Sequence, residues 1–269
     1  MSIIKHDFKK INITKIKEAK NRYKLTVITA YDALFANLLK NSADMILVGD
    51  SLNMSFAGKS DTLSATLEQM IYHTNAVCAG AKGAFVITDM PFGTYTNKDI
   101  ALKNCSKVYQ ETLASAVKIE GGEDRADIIK YLCSNSIAVM GHIGLMPQYV
   151  RSEGGYKVRG KTKEDEEQLI RDAIAIEKAG AFAIVIEGVM SDVAKKISEA
   201  ISIPTIGIGA GCDTDGQVLV WSDMFGFFEE FKPKFVRHYL DGANLIKNGM
   251  EKYREDVQNK NFPSKEEEY

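Results

Sequence analysis

Short apolar runs separated by amphipathic stretches set the rhythm of this chain. The runs fall near residues 25–30, 45–49, 84–88, 115–119, 137–141, 181–186, 203–208 and 217–221. Their length and the turn residues that bound them predict parallel strands buried on both faces. Helical spacing fills most of the gaps. Leu67, Met70, Ile71 and Thr74 share one face of a segment spanning 66–81, and Asn97 can cap a helix running to about Ala114. Thr162 followed three residues later by Asp165 has the form of a capping box, and Gly180 stops the helix carrying Leu169, Ile170, Ala173 and Ile174. Ser191 reads as the next N-cap, with Asp192 in the first turn.

Eight strands alternating with helices imply a closed (β/α)8 TIM barrel. Too little chain separates strands seven and eight for a full helix, which leaves an open doubly wound sheet as the alternative. Such sheets usually have fewer strands and a switch-point motif. No linker or composition break divides residues 1–269. They read as a single barrel domain with an N-terminal helical segment and a short charged C-terminal tail. The stretch Gly144 to Lys161, containing Gly154-Gly155-Tyr156-Lys157, is a long loop after strand five, a common design for a lid over a barrel mouth.

A net charge of −2 gives no basic field for nucleic acid and no signature of binding to anionic membranes. No apolar stretch reaches membrane-spanning length, and no signal-peptide core precedes the first strand. The early lysines (Lys5, Lys9, Lys10, Lys15, Lys17, Lys20, Lys24) are expected on the exposed face of an N-terminal helix. Cys78, Cys105, Cys133 and Cys212 lack CxxC spacing and read as small buried hydrophobes. These features predict a soluble cytoplasmic protein, in which the sequons at Asn12 and Asn53 are accidental.

The chemistry lies where the strands end. Val48-Gly49 runs into Asp50-Ser51, Ile87-Thr88 into Asp89, Lys118-Ile119 into Glu120-Gly121-Gly122, and Val185-Ile186 into Glu187-Gly188. Ligands bind parallel barrels at the carboxyl ends of their strands. One acid there is better explained by helix capping or a nearby lysine. Asp50, Asp89 and Glu120 together suggest a site for Mg2+, which prefers hard oxygen ligands and needs only one or two carboxylates.

Lys118 lies two residues before Glu120, so strand alternation turns both toward the barrel interior. A buried ammonium needs a carboxylate partner or an anionic substrate; a Schiff-base role is the rival reading. Glu187 suits either a further ligand or a free general base. His142 ends strand five, a suggestive place, although a lone histidine is more often a hydrogen-bonded core residue. Gly207-Ile208-Gly209-Ala210-Gly211 fits a phosphate cradle or simply a tight turn.

With these residues placed, the chain resembles the ketopantoate hydroxymethyltransferase family from about Lys24 to about Phe235. The likeness rests on blocks in a fixed order: Thr29-Ala30-Tyr31-Asp32, Val48-Gly49-Asp50-Ser51, Asp89-Met90-Pro91-Phe92 and Val117-Lys118-Ile119-Glu120-Gly121-Gly122. Gly141-His142-Ile143-Gly144-Leu145 with Pro147-Gln148, Gly154-Gly155-Tyr156-Lys157-Val158, Gly207 to Gly211 and Asp215-Gly216-Gln217-Val218-Leu219 complete it. Met146 and Ser222 depart from residues frequent in relatives, without touching a motif ligand.

The resemblance implies a barrel of the phosphoenolpyruvate/pyruvate superfamily type. It implies Mg2+ on Asp50, Asp89 and Glu120, substrate contacts from Asp50, Ser51, Asp89 and Lys118, and Glu187 as proton acceptor. The implied reaction moves a hydroxymethyl group from 5,10-methylenetetrahydrofolate, the co-substrate, to 3-methyl-2-oxobutanoate through a Mg-bound enolate. It gives 2-dehydropantoate (ketopantoate) on the route to pantothenate and coenzyme A. A large homo-oligomer built as rings of dimers is implied as well. Rival activities are a metal-independent aldolase, a lyase or mutase of the same superfamily acting without folate, and a non-catalytic keto-acid sensor.

Overall fold

Eight apolar runs form eight parallel strands that close on themselves in sequence order, β1 to β8. The computed structural model describes residues 11–229 and 232–269; Lys5, His6, Lys9 and Lys10 lie outside them. The strands are β1 Leu25–Thr29, β2 Met45–Val48, β3 Phe85–Asp89, β4 Ala116–Glu120, β5 Val139–Gly144, β6 Ala183–Glu187, β7 Thr205–Ile208 and β8 Gly216–Leu219. The helices before β5 are α1 Ile13–Glu18, α2 Ala33–Leu39, α3 Leu52–Ser55, α4 Leu67–Gly80, α5 Lys98–Glu111 and α6 Glu123–Ser134. After it come α7 Lys163–Ala179, α8 Ser191–Ala200, α9 Trp221–Met224 and α10 Gly242–Gln258. No helix lies between β7 and β8, so the chain crosses that gap in a glycine-rich turn and the barrel reading holds.

The chain divides into two compact units, residues 1–220 and 221–269. The first is the barrel, closed by β1 pairing with β8 through Leu25↔Gly216 to Ile28↔Leu219. A side chain at Gly216 would meet the Leu25 carbonyl oxygen at 2.6 Å, so closure needs glycine there. Strand alternation splits the barrel's core in two. Val117, Ile119, Val139, Ile184 and Ile186 face outward onto Ile129, Leu132, Leu169, Ala173 and Ile176 of the helices. Phe85, Ile87, Ala116, Met140, Ala183 and Val185 fill the interior. Following those inward positions toward the carboxyl ends leads from apolar side chains to Asp89, Lys118, Glu120, His142 and Glu187. The second unit carries α9 and α10, with Trp221 and Phe227 in edge-to-face contact at 5.3 Å between ring centroids.

Local signals account for most helix ends. Thr66 accepts from the Gln69 N–H while the Gln69 side chain accepts from the Thr66 N–H, a complete capping box on α4. Asn97 caps α5 and Gly180 ends α7 at φ +103°. Three expectations need correction. Thr162 caps α7, but the Asp165 carboxylate accepts from Arg159 and the Gly160 N–H instead of closing the box. Ser191 is the first residue of α8 and makes no side-chain cap; it packs where a Cβ on Gly211 would meet its own Cβ at 2.6 Å. Lys20 is partly buried against Asp215 at 2.8 Å, because that carboxylate, just before β8, attracts it inward. The cysteine expectation also fails in part: Cys78 and Cys105 are buried, but Cys133 is only partly buried and Cys212 is exposed, because it lies on the turn before β8. Asn53, in one sequon, is buried and donates to the Asp61 carbonyl and Ser64.

Candidate active site

At the carboxyl ends of the strands a cavity of about 90 Å³ is lined by Asp50, Ser51, Asp89, Lys118, Glu120 and Glu187, together with His142 and Pro147. The acids, Ser51, Lys118 and His142 singled out from the sequence therefore meet in one place. Strand register sets their heights. Asp89 is the Cα partner of Lys118, Glu120 of His142, and Gly144 of Glu187. At Gly144, with φ +98°, a Cβ would strike the Glu187 carbonyl oxygen at 2.3 Å, so β5 can approach β6 there only through glycine.

Burial and charge decide how these groups ionise. Lys118, 5% exposed, sits 3.1 Å from Asp89 Oδ1 and 3.2 Å from His142 Nδ1. Burial alone would lower its pKa, but Asp89, Glu120 and Asp50 outweigh it and raise the ammonium above the ordinary lysine range. A lysine held charged this firmly is a poor Schiff-base nucleophile and a good partner for an anion. Asp50 is pushed well above the usual carboxylate range by burial and by its neighbours Asp89 and Glu120. Burial also raises Asp89, against the pull of Lys118. Glu120 is the exception: burial is overcome by the hydrogen bond and charge of His142, and its pKa is lowered.

His142 does not behave as an ordinary core histidine. Its Nδ1 lies 3.4 Å from Glu120 Oε1 and its Nε2 3.4 Å from Glu187 Oε2. Burial and Lys118 oppose its proton, but Glu120 and Glu187 prevail and raise its pKa to about 9. Two further residues support the rim. Tyr31, fully buried, shares a 2.8 Å hydrogen bond between its hydroxyl and Ser51 Oγ. Gln148, from the loop after β5, donates to Asp50 Oδ2 at 2.8 Å. The chain spacing of these partners, 20 and 98 residues, has no local signature; Tyr31 and Gln148 stood out only as members of the family blocks.

Among the described residues no group of three or more His, Cys, Asp or Glu side chains could hold a metal ion as placed. Mg2+ does not require one, since it keeps several waters and takes substrate oxygens. The donors present fit it: three buried carboxylates, of which Asp89 Oδ1 and Glu120 Oε1 are met only by the basic side chains of Lys118 and His142. Burial and mutual repulsion among such acids are what a divalent cation relieves. The glycines of 207–211 have a local conformational reason. Gly209 and Gly211 turn at φ +61° and +80°, and a Cβ on Gly207 would meet Thr214 Oγ1 at 2.7 Å.

The model of the ketopantoate hydroxymethyltransferase family matches residues 10–265. Over the full length of both chains the protein is 81% identical to a 3-methyl-2-oxobutanoate hydroxymethyltransferase of Aliarcobacter butzleri (strain RM4018). A protein of the same name from Helicobacter pylori (strain ATCC 700392 / 26695) is 54% identical, also over all of both chains. Among solved structures the fold resembles phosphonopyruvate hydrolase in complex with oxalate and Mg2+, with TM-score 0.61 and 14% identity over 95% of this chain and 92% of that one. It also resembles 2,3-dimethylmalate lyase, a PEP mutase/isocitrate lyase superfamily member, with TM-score 0.61 and 15% identity over 91% and 88%. At that identity the two structures speak for the fold alone.

Proposed function

The chain belongs to the ketopantoate hydroxymethyltransferase family, and from that premise we propose that it transfers a hydroxymethyl group from 5,10-methylenetetrahydrofolate to 3-methyl-2-oxobutanoate. The products are 2-dehydropantoate and tetrahydrofolate, and the setting is cytoplasmic pantothenate and coenzyme A synthesis. The observation that carries this reading is the convergence of Asp50, Ser51, Asp89, Lys118, Glu120 and Glu187 on one cavity at the barrel mouth.

Asp50, Asp89 and Glu120 would hold Mg2+. Bound there, it supplies Lewis acidity that makes the proton beside a ketone labile. The Lys118 ammonium, held charged by its acidic neighbours, gives the keto acid's carboxylate a partner, and the Ser51 hydroxyl, fixed by Tyr31, gives it a donor. Asp50 and Asp89 border the same space and help orient the substrate. Glu187 takes the C3 proton: its side chain is 21% exposed, against 1% for Glu120, so a substrate can reach it. His142 lies between Glu120 and Glu187 and steadies the base. Water cleaves the two folate bonds to the methylene carbon, its oxygen staying on that carbon as a carbonyl and its hydrogens going to the two nitrogens of tetrahydrofolate. C3, its proton now on Glu187, bonds to that carbon, and the carbonyl oxygen takes a proton back to become the hydroxyl.

The protein is also proposed to assemble as a homo-oligomer, in rings of dimers. In support, Ile246, Met250, Tyr253 and Val257 form a stripe along α10, each at least 45% exposed. The activity is tested by incubating the protein with 3-methyl-2-oxobutanoate, 5,10-methylenetetrahydrofolate and Mg2+. Appearance of 2-dehydropantoate that stops when the folate is omitted supports the proposal. Consumption of the keto acid without folate, or no product with it, contradicts the proposal.

A further inference from the structure

Gln148 lies in the 3-10 turn Pro147–Tyr149, outside every strand, and is 4% exposed. Each polar group of its side chain is used. Nε2 donates to Asp50 Oδ2 at 2.8 Å and to the Met90 carbonyl at 3.0 Å. Oε1 accepts a short hydrogen bond from the Tyr95 hydroxyl, itself buried. The Gln148 backbone N–H donates to Glu120 Oε2 at 3.1 Å. These partners leave the amide one orientation. Turned over, its oxygen would face the Asp50 carboxylate and the Met90 carbonyl, acceptor against acceptor on both sides.

Neither Gln148 nor Tyr95 lines the cavity shared by Asp50, Asp89 and Glu120. Both instead line a neighbouring cavity of about 180 Å³ with Phe92, Arg125 and Tyr149. Whatever Gln148 does for the site, it therefore does through the carboxylates it holds. Mg2+ demands near-ideal octahedral geometry, so two carboxylates fixed by one rigid residue would reach it already aimed.

We propose that Gln148 is a positioning residue for the metal-binding acids, aligning Asp50 through its side chain and Glu120 through its backbone, with Tyr95 locking its amide. The inference rests on the assignment of those acids to the metal, made above. The test uses Mn2+ in place of Mg2+ and follows the free ion by its paramagnetic resonance, with the wild type, Gln148→Leu, Tyr95→Phe and the double variant. Loss of an outer hydrogen-bond partner typically weakens metal binding 10–100-fold, roughly the rise in Kd expected for Gln148→Leu. Tyr95→Phe should give a smaller rise, and adding it to Gln148→Leu should change nothing further, because Tyr95 acts through Gln148.

A role confined to tying the loop to the barrel would lower resistance to urea and leave the Mn2+ Kd of each folded variant unchanged; that result overturns the proposal. So does a double variant in which the two losses add. If Gln148→Leu fails to fold, Tyr95→Phe decides: an unchanged Kd overturns the inference and a raised one supports it. A wild type that binds no Mn2+ would bring down the metal assignment and this inference together. Normal wild-type binding with unaffected variants would bring down only this inference.

Discussion

Glu187 differs from the other acids of the site in how much solvent it meets, and its proposed role as base rests on that difference. Asp89 and Glu120 are almost wholly enclosed, whereas Glu187 stands at the rim beside His142. A base that a substrate must reach belongs at the rim, and ligands that shed water belong below it. Glu187→Gln should therefore lower turnover by roughly 10²–10⁴-fold, the usual range for loss of a general base. Metal and keto-acid affinities, measured by titration, should stay within about twofold on the same reasoning; a variant that loses its metal would make Glu187 a ligand. Asp89→Ala should abolish metal-dependent binding of the keto acid, checked by the same titration in Mg2+ and in EDTA. Much of this was legible in the sequence, because strand ends and the two-residue period place Asp50, Asp89, Lys118, Glu120 and Glu187 without reference to distant parts of the chain. Gln148, Tyr95 and Tyr31 were not legible as support. Their hydrogen bonds join residues 20 to 98 positions apart, and a loop has no period from which an inward side chain can be read.

Among the elements, the residues joining α1 to the starts of β7 and β8 form a polar knot at the opposite end of the barrel from the acids. Asp215 accepts from Lys20 Nζ at 2.8 Å and from the backbone and hydroxyl of Thr205, both at 2.9 Å. Lys20 also donates to the Ser198 carbonyl. Asp215→Asn would leave a partly buried ammonium without its counter-charge, costing about 3 kcal/mol by analogy with broken buried pairs. Burial works to raise the Asp215 pKa, but Lys20 and Thr205 outweigh it and lower it. The stabilisation is thus complete above the ordinary aspartate pKa of about 4 and lost as pH falls through the lower folded value. Urea unfolding should show a gap between wild type and Asp215→Asn that is constant above about pH 5 and narrows below it. A gap independent of pH would mean the carboxylate's charge contributes nothing. Helix caps could be read from sequence at Asn97, Thr162 and Gly180 because their partners lie within three or four residues. The burial of Lys20 could not, since its partner is 195 residues away. Thr162→Ala should cost about 1 kcal/mol in the same assay, through the lost cap on Asp165.

For the whole molecule, the sequence led to the closed barrel because eight apolar runs leave parallel pairing few other solutions, even with no helix between β7 and β8. The C-terminal helix α10 carried no such signal, since its apolar positions face outward. Among the described residues no helix is long and apolar enough to cross a membrane. The exposed stripe on α10 is the surface that the proposed homo-oligomer would cover. Replacing Ile246 and Met250 together with aspartate should lower the molar mass seen by light scattering, and an unchanged mass would remove α10 from the assembly. The chemistry at the barrel mouth is tested most directly by proton exchange. With Mg2+ present, nuclear magnetic resonance in deuterium oxide should show wild-type protein replacing the C3 hydrogen of 3-methyl-2-oxobutanoate, and EDTA should stop it. Exchange that is indifferent to EDTA, or none with Mg2+ supplied, would contradict the account.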